Sequence, residues 1–152
     1  MIKLVAVGNR LMMDDGIAIR VAEELRNRFT CLQLDIIIGE TDCHSSFYLL
    51  NDNDFVIILD AMYMGEESGS VHVFSLDALS NPSGSCTQHD MSILELMRLY
   101  NCKFKGCIIG IEVADIGFGD CLSPVLMEKF PKVCSEVESV IKNIILEETG
   151  YA

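Results

Sequence analysis

The feature that most restricts the fold is an alternation of short apolar runs with segments of helical periodicity. The runs at residues 2–7 and 55–59 are apolar apart from Lys3, which is typical of strands buried on both faces. Apolar residues at helical spacing follow, first over residues 15–29. Strands that alternate with helices predict an α/β fold with a parallel or mostly parallel sheet and helices on both faces.

The remaining elements extend the same alternation over a single domain, residues 1–152. Residues 71–75 alternate between apolar and wetter positions, which indicates an edge strand. Ser123 and Pro124 predict the cap and first position of a long last helix. The other predicted strands are residues 32–38 and 106–111, and the other helices are 46–50 and 92–100. The predicted buried stripe of the last helix is Val125, Phe130, Val133, Val137, Val140, Ile141 and Ile144.

Charge and cysteine usage exclude several classes of function. The formal net charge of -12 argues against nucleic acid and against anionic membrane surfaces as partners. No apolar run approaches the ~18 residues that span a bilayer, and no secretory signal is visible. The seven cysteines form no C-x-x-C pair, so we expect buried thiols in a reducing, cytoplasmic compartment. We expect a monomer.

The corner after the first strand, GNRLMMDDG at residues 8–16, is a glycine turn that contains two acids and no lysine. It matches neither the dinucleotide fingerprint nor the P-loop. Carboxylates at the start of a helix oppose a phosphate there, so the corner predicts a cation site instead. In the simplest alternative, Asp14 or Asp15 only caps the following helix or favours the positive end of its dipole.

Three residues from separate parts of the chain are the candidate metal ligands: Asp15, Asp60 and His89. Asp60 closes the buried run FVIILD, and the carboxyl ends of neighbouring parallel strands share one crevice. His89 precedes a predicted helix in the polar stretch SCTQHDMS; His44 and His72 rank second and third among the histidines. Carboxylate oxygens and an imidazole suit Ni, Zn, Fe or Mn. No G-x-S-x-G elbow is present, and Cys43 beside His44 is not evidence of a dyad.

Four stretches resemble, in order and spacing, the hydrogenase maturation endopeptidases. They are VAVGNRLMMDDG, IILDAMYMGEESGSVHVF, TQHDMS and IGIEVADIGFGDCLSP. GNRLMMDDG and DIGFGD are most similar to the branch that serves the hydrogenase of formate hydrogenlyase complexes.

The resemblance implies a three-layer α/β/α sandwich with a mostly parallel, twisted sheet of about five strands. It implies an endopeptidase that removes the C-terminal extension of a [NiFe] hydrogenase large-subunit precursor after nickel insertion. It implies that Asp15, Asp60 and His89 are metal-ligating positions, which recognise nickel carried by the precursor. Asp15 and Asp60 are the candidate catalytic residues, and the resemblance does not choose between two mechanisms: an aspartate that acts as general base on a water, and nickel that polarises the scissile carbonyl or lowers the pKa of a bound water. Three alternatives remain open at this point: a non-catalytic nickel-binding checkpoint protein, a flavodoxin-like nucleotide or flavin module, and a peptidase of similar fold with another substrate.

Overall fold

The computed structural model describes residues 1–29, 34–79 and 93–150, which form five strands, five α-helices and a 3-10 turn. The strands are β1 (Ile2–Val7), β2 (Leu34–Glu40), β3 (Phe55–Met62), β4 (Val71–Ser75) and β5 (Lys105–Glu112). The helices are α1 (Ile17–Arg26), α2 (Cys43–Tyr48), α3 (Leu76–Leu79), α4 (Ile93–Leu99) and α5 (Pro124–Thr149), and the 3-10 turn is Met13–Gly16.

The five strands form one sheet in the order β2-β1-β3-β5-β4. β1, β2, β3 and β5 are parallel, and β4 runs antiparallel to β5 at the edge. This arrangement confirms the predicted mostly parallel sheet and the predicted edge position of residues 71–75. The carboxyl ends of β1 and β3 are neighbours, because Ala6 pairs with Leu59.

An apolar core lies on each face of the sheet. The sheet is thus the middle layer of three, with helices packed on both sides. Leu4, Ile57 and Ile109 face α1 and α5, whereas Val5 and Ile58 face α2 and α4. The parity of each strand decides which core a residue joins, since successive side chains point to opposite faces. A carboxylate near a strand end therefore faces one of the two helical layers. Its odd or even position along the strand decides which layer it faces.

The boundaries of several predicted elements differ from those observed. β3 runs to Met62, so Asp60 lies inside the strand rather than at its end. The strand continues because β5 pairs with it as far as Met62 and Glu112. α2 begins at Cys43, earlier than the predicted residue 46, because Asp42 caps it by accepting the N–H of Ser45. β2 is shifted to Leu34–Glu40; residues 32 and 33 of the predicted strand and residue 92 of the predicted helix lie outside the described residues.

The last helix begins as predicted, with Ser123 as its cap and Pro124 in its first turn. The Ser123 side chain accepts the N–H of Leu126. The prediction that Val125 belongs to the buried stripe is wrong, since Val125 is 45% exposed, and Leu126 is buried in its place. The buried face also includes Cys134 and Ile145. Among the described residues, no helix is long and apolar enough to cross a membrane.

Candidate active site

Asp60 lies on the inner side of the sheet near its carboxyl edge and is 2% exposed. Its parity matches that of Val56 and Ile58, so the side chain faces the α2 and α4 layer. One carboxylate oxygen accepts the N–H of Ala61 at 2.8 Å. Burial raises the pKa of the Cys43 thiol, and the charge of Asp60 raises it further, which places Cys43 near this carboxylate.

Asp15 lies in the 3-10 turn that follows β1 and is also buried. Its carboxylate accepts the N–H of Asn9 at 2.8 Å, which folds the corner back on itself. Gly8 has φ +144, and a Cβ there would lie 2.1 Å from the carbonyl oxygen of Asp15. The glycine therefore permits the close approach that holds Asp15 at the end of β1. Asp15 thus follows β1, and Asp60 lies near the end of the neighbouring strand β3, at the same edge of the sheet.

Asp14 ties the corner to the loop after β5. It is fully buried, and its carboxylate accepts the backbone N–H groups of Ala114 (2.9 Å), Asp115 (2.8 Å) and Ser123 (2.6 Å). The Ser123 hydroxyl donates a further bond at 2.8 Å. The alternative in which Asp14 or Asp15 caps the following helix is not observed, because the residue before α1 is Gly16 and no side chain caps that helix. Both acids lie instead in the first turn of the 3-10 helix before α1.

Glu112 is a buried acid that sequence reasoning did not single out. It closes β5 and is 1% exposed. Its carboxylate accepts the N–H groups of Met64 (2.9 Å), Gly65 (2.9 Å) and Glu66 (3.2 Å), which fixes the loop after β3. The signal was available, since Glu112 ends an apolar run as Asp60 does. Its partners lie more than 40 positions away, so the sequence alone did not reveal its role.

Arg10 is the basic residue of the first corner, and two glutamates hold it. Its guanidinium donates to Glu40 at 2.9 Å and to Glu23 at 3.0 Å. The hydrogen bond to Glu23 raises the pKa of Arg10 above its usual range despite partial burial. The positive charge of Arg10 is therefore balanced by Glu23 and Glu40.

The three histidines occupy different situations. His89 falls between residues 80 and 92, outside the described residues, and the chain resumes at Ile93, whose backbone hydrogen-bonds the Cys43 thiol near Asp60. His44 is exposed in the first turn of α2. His72 pairs with Gly110, which pairs with Asp60 on its other side, so the three share one row of the sheet. Within the described ranges, no three metal-binding side chains come together.

Comparison with known proteins identifies the family of this chain. The sequence profile described as hydrogenase maturation protease matches residues 19–145. The chain belongs to the hydrogenase maturation protease family. The matched range includes Asp60 and His89, and the corner with Asp15 directly precedes it. No curated protein sequence matches this chain.

Solved structures of hydrogenase maturation proteases share the fold. The endopeptidase HybD of Escherichia coli superimposes with a TM-score of 0.73 at 20% identity, over 94% of this chain and 93% of that chain. HybD of Thermococcus kodakarensis gives 0.70 at 23% identity, over 91% of this chain and 97% of that chain. HycI of Thermococcus kodakarensis gives 0.69 at 18% identity, over 93% and 92% respectively. These similarities confirm the α/β sandwich with its mostly parallel five-stranded sheet.

Proposed function

We propose that this protein is an endopeptidase that removes the C-terminal extension of a [NiFe] hydrogenase large-subunit precursor after nickel insertion. The observation that carries the proposal is the position of Asp15 and Asp60. Both are buried carboxylates at the carboxyl edge of adjacent parallel strands, where α/β proteins form their sites. Membership of the hydrogenase maturation protease family supports the reaction class. We place its action in the cytoplasm, on the precursor, as a monomer.

The substrate's own nickel fits the proposed recognition set. Carboxylate oxygens from Asp15 and Asp60 with an imidazole nitrogen from His89 are a mixed donor set of the kind that binds divalent nickel. In this proposal the metal belongs to the precursor and is recognised by the protease. A precursor without nickel is therefore not bound with its cleavage site in the correct position. We also propose that the precursor belongs to the hydrogenase of a formate hydrogenlyase complex, because GNRLMMDDG and DIGFGD are most similar to that branch of the family.

The chemistry that the two carboxylates offer is general base catalysis of peptide hydrolysis. One carboxylate accepts a proton from water as the water oxygen attacks the scissile carbonyl carbon. The carbon–nitrogen bond then breaks, and the proton passes to the departing amine nitrogen. The precursor's nickel supplies a second route to the same nucleophile, because a divalent ion lowers the pKa of a bound water.

The test is a processing assay with purified precursor, with and without nickel, read by mass spectrometry. The wild-type protein should release a C-terminal peptide only from the nickel-loaded precursor. Asp15→Asn and Asp60→Asn should each reduce the rate by about 100-fold or more, since general bases contribute roughly 10²–10⁴. His89→Ala should also lose processing, because it removes the imidazole proposed to bind the precursor's nickel. Asp35→Asn is the matched control, because Asp35 is an exposed carboxylate on β2 and should leave the rate unchanged.

The alternatives give different results in the same assay. A non-catalytic checkpoint protein would bind the nickel-loaded precursor and release no peptide. Cleavage at the normal rate by Asp60→Asn, with its fold intact by circular dichroism, would remove Asp60 from the site.

A further inference from the structure

Four large apolar side chains are exposed around the carboxyl edge of the sheet, and we call them the apolar rim: Leu11, Tyr63, Met64 and Phe118. Their exposed fractions are 55%, 66%, 42% and 87%. Exposed apolar groups gathered in one region, unlike scattered single ones, are typical of an interaction surface.

Backbone hydrogen bonds hold the members of the rim in place. Leu11 and Phe118 belong to two loops joined by bonds from Gly119 N–H to the Leu11 carbonyl (2.9 Å) and from Met13 N–H to the Gly119 carbonyl (2.9 Å). Met64 donates its N–H to the buried carboxylate of Glu112. The rim is therefore presented by loops that the fold fixes, so little ordering is needed when a partner binds.

The loop after β5 connects the two halves of the rim. Val113, at its start, donates its N–H to the Met62 carbonyl, directly before Tyr63. Ala114 and Asp115 then bind the carboxylate of Asp14 in the first corner. The same loop reaches Phe118 beside Leu11, so the rim follows one continuous path from the end of β3 to the end of β1.

The charge around the rim indicates which partner fits it. Residues 8–16, 40–42, 60–70 and 112–123, which form the carboxyl edge, contain ten acids and one arginine, Arg10. The connections at the opposite edge, residues 27–29, 49–54 and 100–104, contain two acids and two bases. The acidity of the chain is thus concentrated where the rim lies, and such a field attracts cationic partners.

We propose that the apolar rim is the docking surface for an extended peptide segment of the substrate that combines apolar with cationic side chains. The proposal rests on the endopeptidase function proposed above and names the chemistry of the segment that such a protease holds. The apolar side chains of the segment lie on Leu11, Phe118, Tyr63 and Met64, and its cationic groups face the surrounding acids.

A direct binding experiment tests the rim without requiring cleavage. Two fluorescein-labelled ten-residue peptides are used, one alternating leucine with lysine and the other alternating leucine with glutamate, with fluorescence anisotropy as the readout. The leucine–lysine peptide should bind at least tenfold more tightly than the leucine–glutamate peptide. The double variant Leu11→Ser/Phe118→Ser should weaken its binding at least tenfold.

The matched control is Leu99→Ser/Tyr100→Ser, which removes two exposed apolar side chains at the opposite edge, 73% and 49% exposed. It should bind the leucine–lysine peptide as the wild type does. Equal binding of both peptides, or equal losses in the two double variants, would overturn the proposal. So would light scattering that shows a wild-type dimer made monomeric by Leu11→Ser/Phe118→Ser, because the rim would then cover a second copy of the chain.

The processing assay separates this proposal from the one on which it depends. If the wild type cleaves the precursor, Leu11→Ser/Phe118→Ser should raise KM with kcat little changed, and an unchanged KM would overturn the docking role. If the wild type cleaves nothing, the proposed endopeptidase function fails, and the peptide anisotropy results still decide whether the rim binds apolar, cationic segments.

Discussion

At the scale of single residues, the adjacent acids of the first corner have different roles. Asp14 is fully buried, and its carboxylate accepts hydrogen bonds from three backbone N–H groups and one hydroxyl of the loop after β5. Asp15 accepts the N–H of Asn9 and lies at the end of β1 beside the strand that carries Asp60. A structural connection and a candidate catalytic group therefore stand side by side in the sequence.

Asp14→Asn should destabilise the protein more than Asp15→Asn does. In the first variant the new side-chain NH₂ group would face N–H donors and leave buried groups without acceptors, at a cost of about 2–4 kcal/mol. In the second variant the amide keeps an acceptor oxygen for the Asn9 N–H, so we expect a smaller loss. Urea unfolding at pH 7 measures both. Equal losses in the two variants would contradict the separation of roles.

Asp54 provides a residue-scale prediction on pH dependence. Burial alone would raise its pKa, but hydrogen bonds from Asn51, Lys3 and the N-terminal ammonium lower the pKa of Asp54 to about 2. Its Oδ2 lies 3.2 Å from the Lys3 ammonium, and both residues are buried. A carboxyl whose pKa is lower in the folded state adds stability above its unfolded pKa, about 3.9, and loses it as the pH falls toward 2.

Asp54→Asn should therefore cost on the order of 2 kcal/mol of unfolding free energy at pH 7. The difference from the wild type should shrink as the pH falls from about 4 to 2, because the wild-type carboxyl becomes protonated there. Urea unfolding across this range tests the prediction. A difference that stays constant with pH would show that packing, and not the charge of Asp54, is responsible. The variant should process substrate normally, since Asp54 precedes β3 at the opposite edge of the sheet.

At the scale of elements, local signals were sufficient for the five strands and for four of the five described helices, whereas the short helix α3 (Leu76–Leu79) was not predicted. Continuous apolar runs gave β1, β3 and β5, and the Ser123–Pro124 pair gave the start of α5. The features that the sequence did not reveal depend on contacts between distant segments of the chain. The extension of β3 past Leu59 depends on pairing with β5, and the partners of Asp14 and Glu112 lie on distant segments. The position of the candidate site at the carboxyl edge could be predicted, because parallel strands place their carboxyl ends at one edge of the sheet. The role of His89 stays a prediction.

α5 contains a proline whose effect can be tested. Pro131 lies inside the helix, where it has no N–H to donate to the carbonyl of Met127. Pro131→Ala should restore that bond and raise the unfolding free energy by about 1 kcal/mol, less than the ~3 kcal/mol intrinsic cost of proline because alanine frees the unfolded chain. Thermal unfolding measures it, with Glu128→Ala on the same helix as control. A destabilised variant would mean that the proline supports the packing of the neighbouring Val133 and Cys134 in the core.

At the scale of the whole molecule, the two edges of the sheet differ in what they hold. The carboxyl edge carries Asp15, Asp60, the apolar rim and most of the acidic surplus. The opposite edge carries the Asp54 ion pairs and an aromatic cluster in which the Tyr48 and Tyr100 hydroxyls lie 3.1 Å apart. Catalysis and docking are thus proposed at one edge, and the contacts that fix the chain start lie at the other.

The order of strands in the sheet predicts which strands unfold locally and which unfold only with the whole domain. β1, β3 and β5 each have a strand on both sides and are mostly buried, whereas β4 ends the sheet and all five of its residues are at least partly exposed. Amide hydrogen exchange should therefore be slowest in β1, β3 and β5, where it requires global unfolding, and at least about tenfold faster in β4. β2, the other edge strand, serves as the internal comparison and should resemble β4. If β4 were as protected as β3, it would open only with the whole domain. The carboxyl edge, which the loops beside β3 and β5 form, would then owe its rigidity to all five strands rather than to the central three.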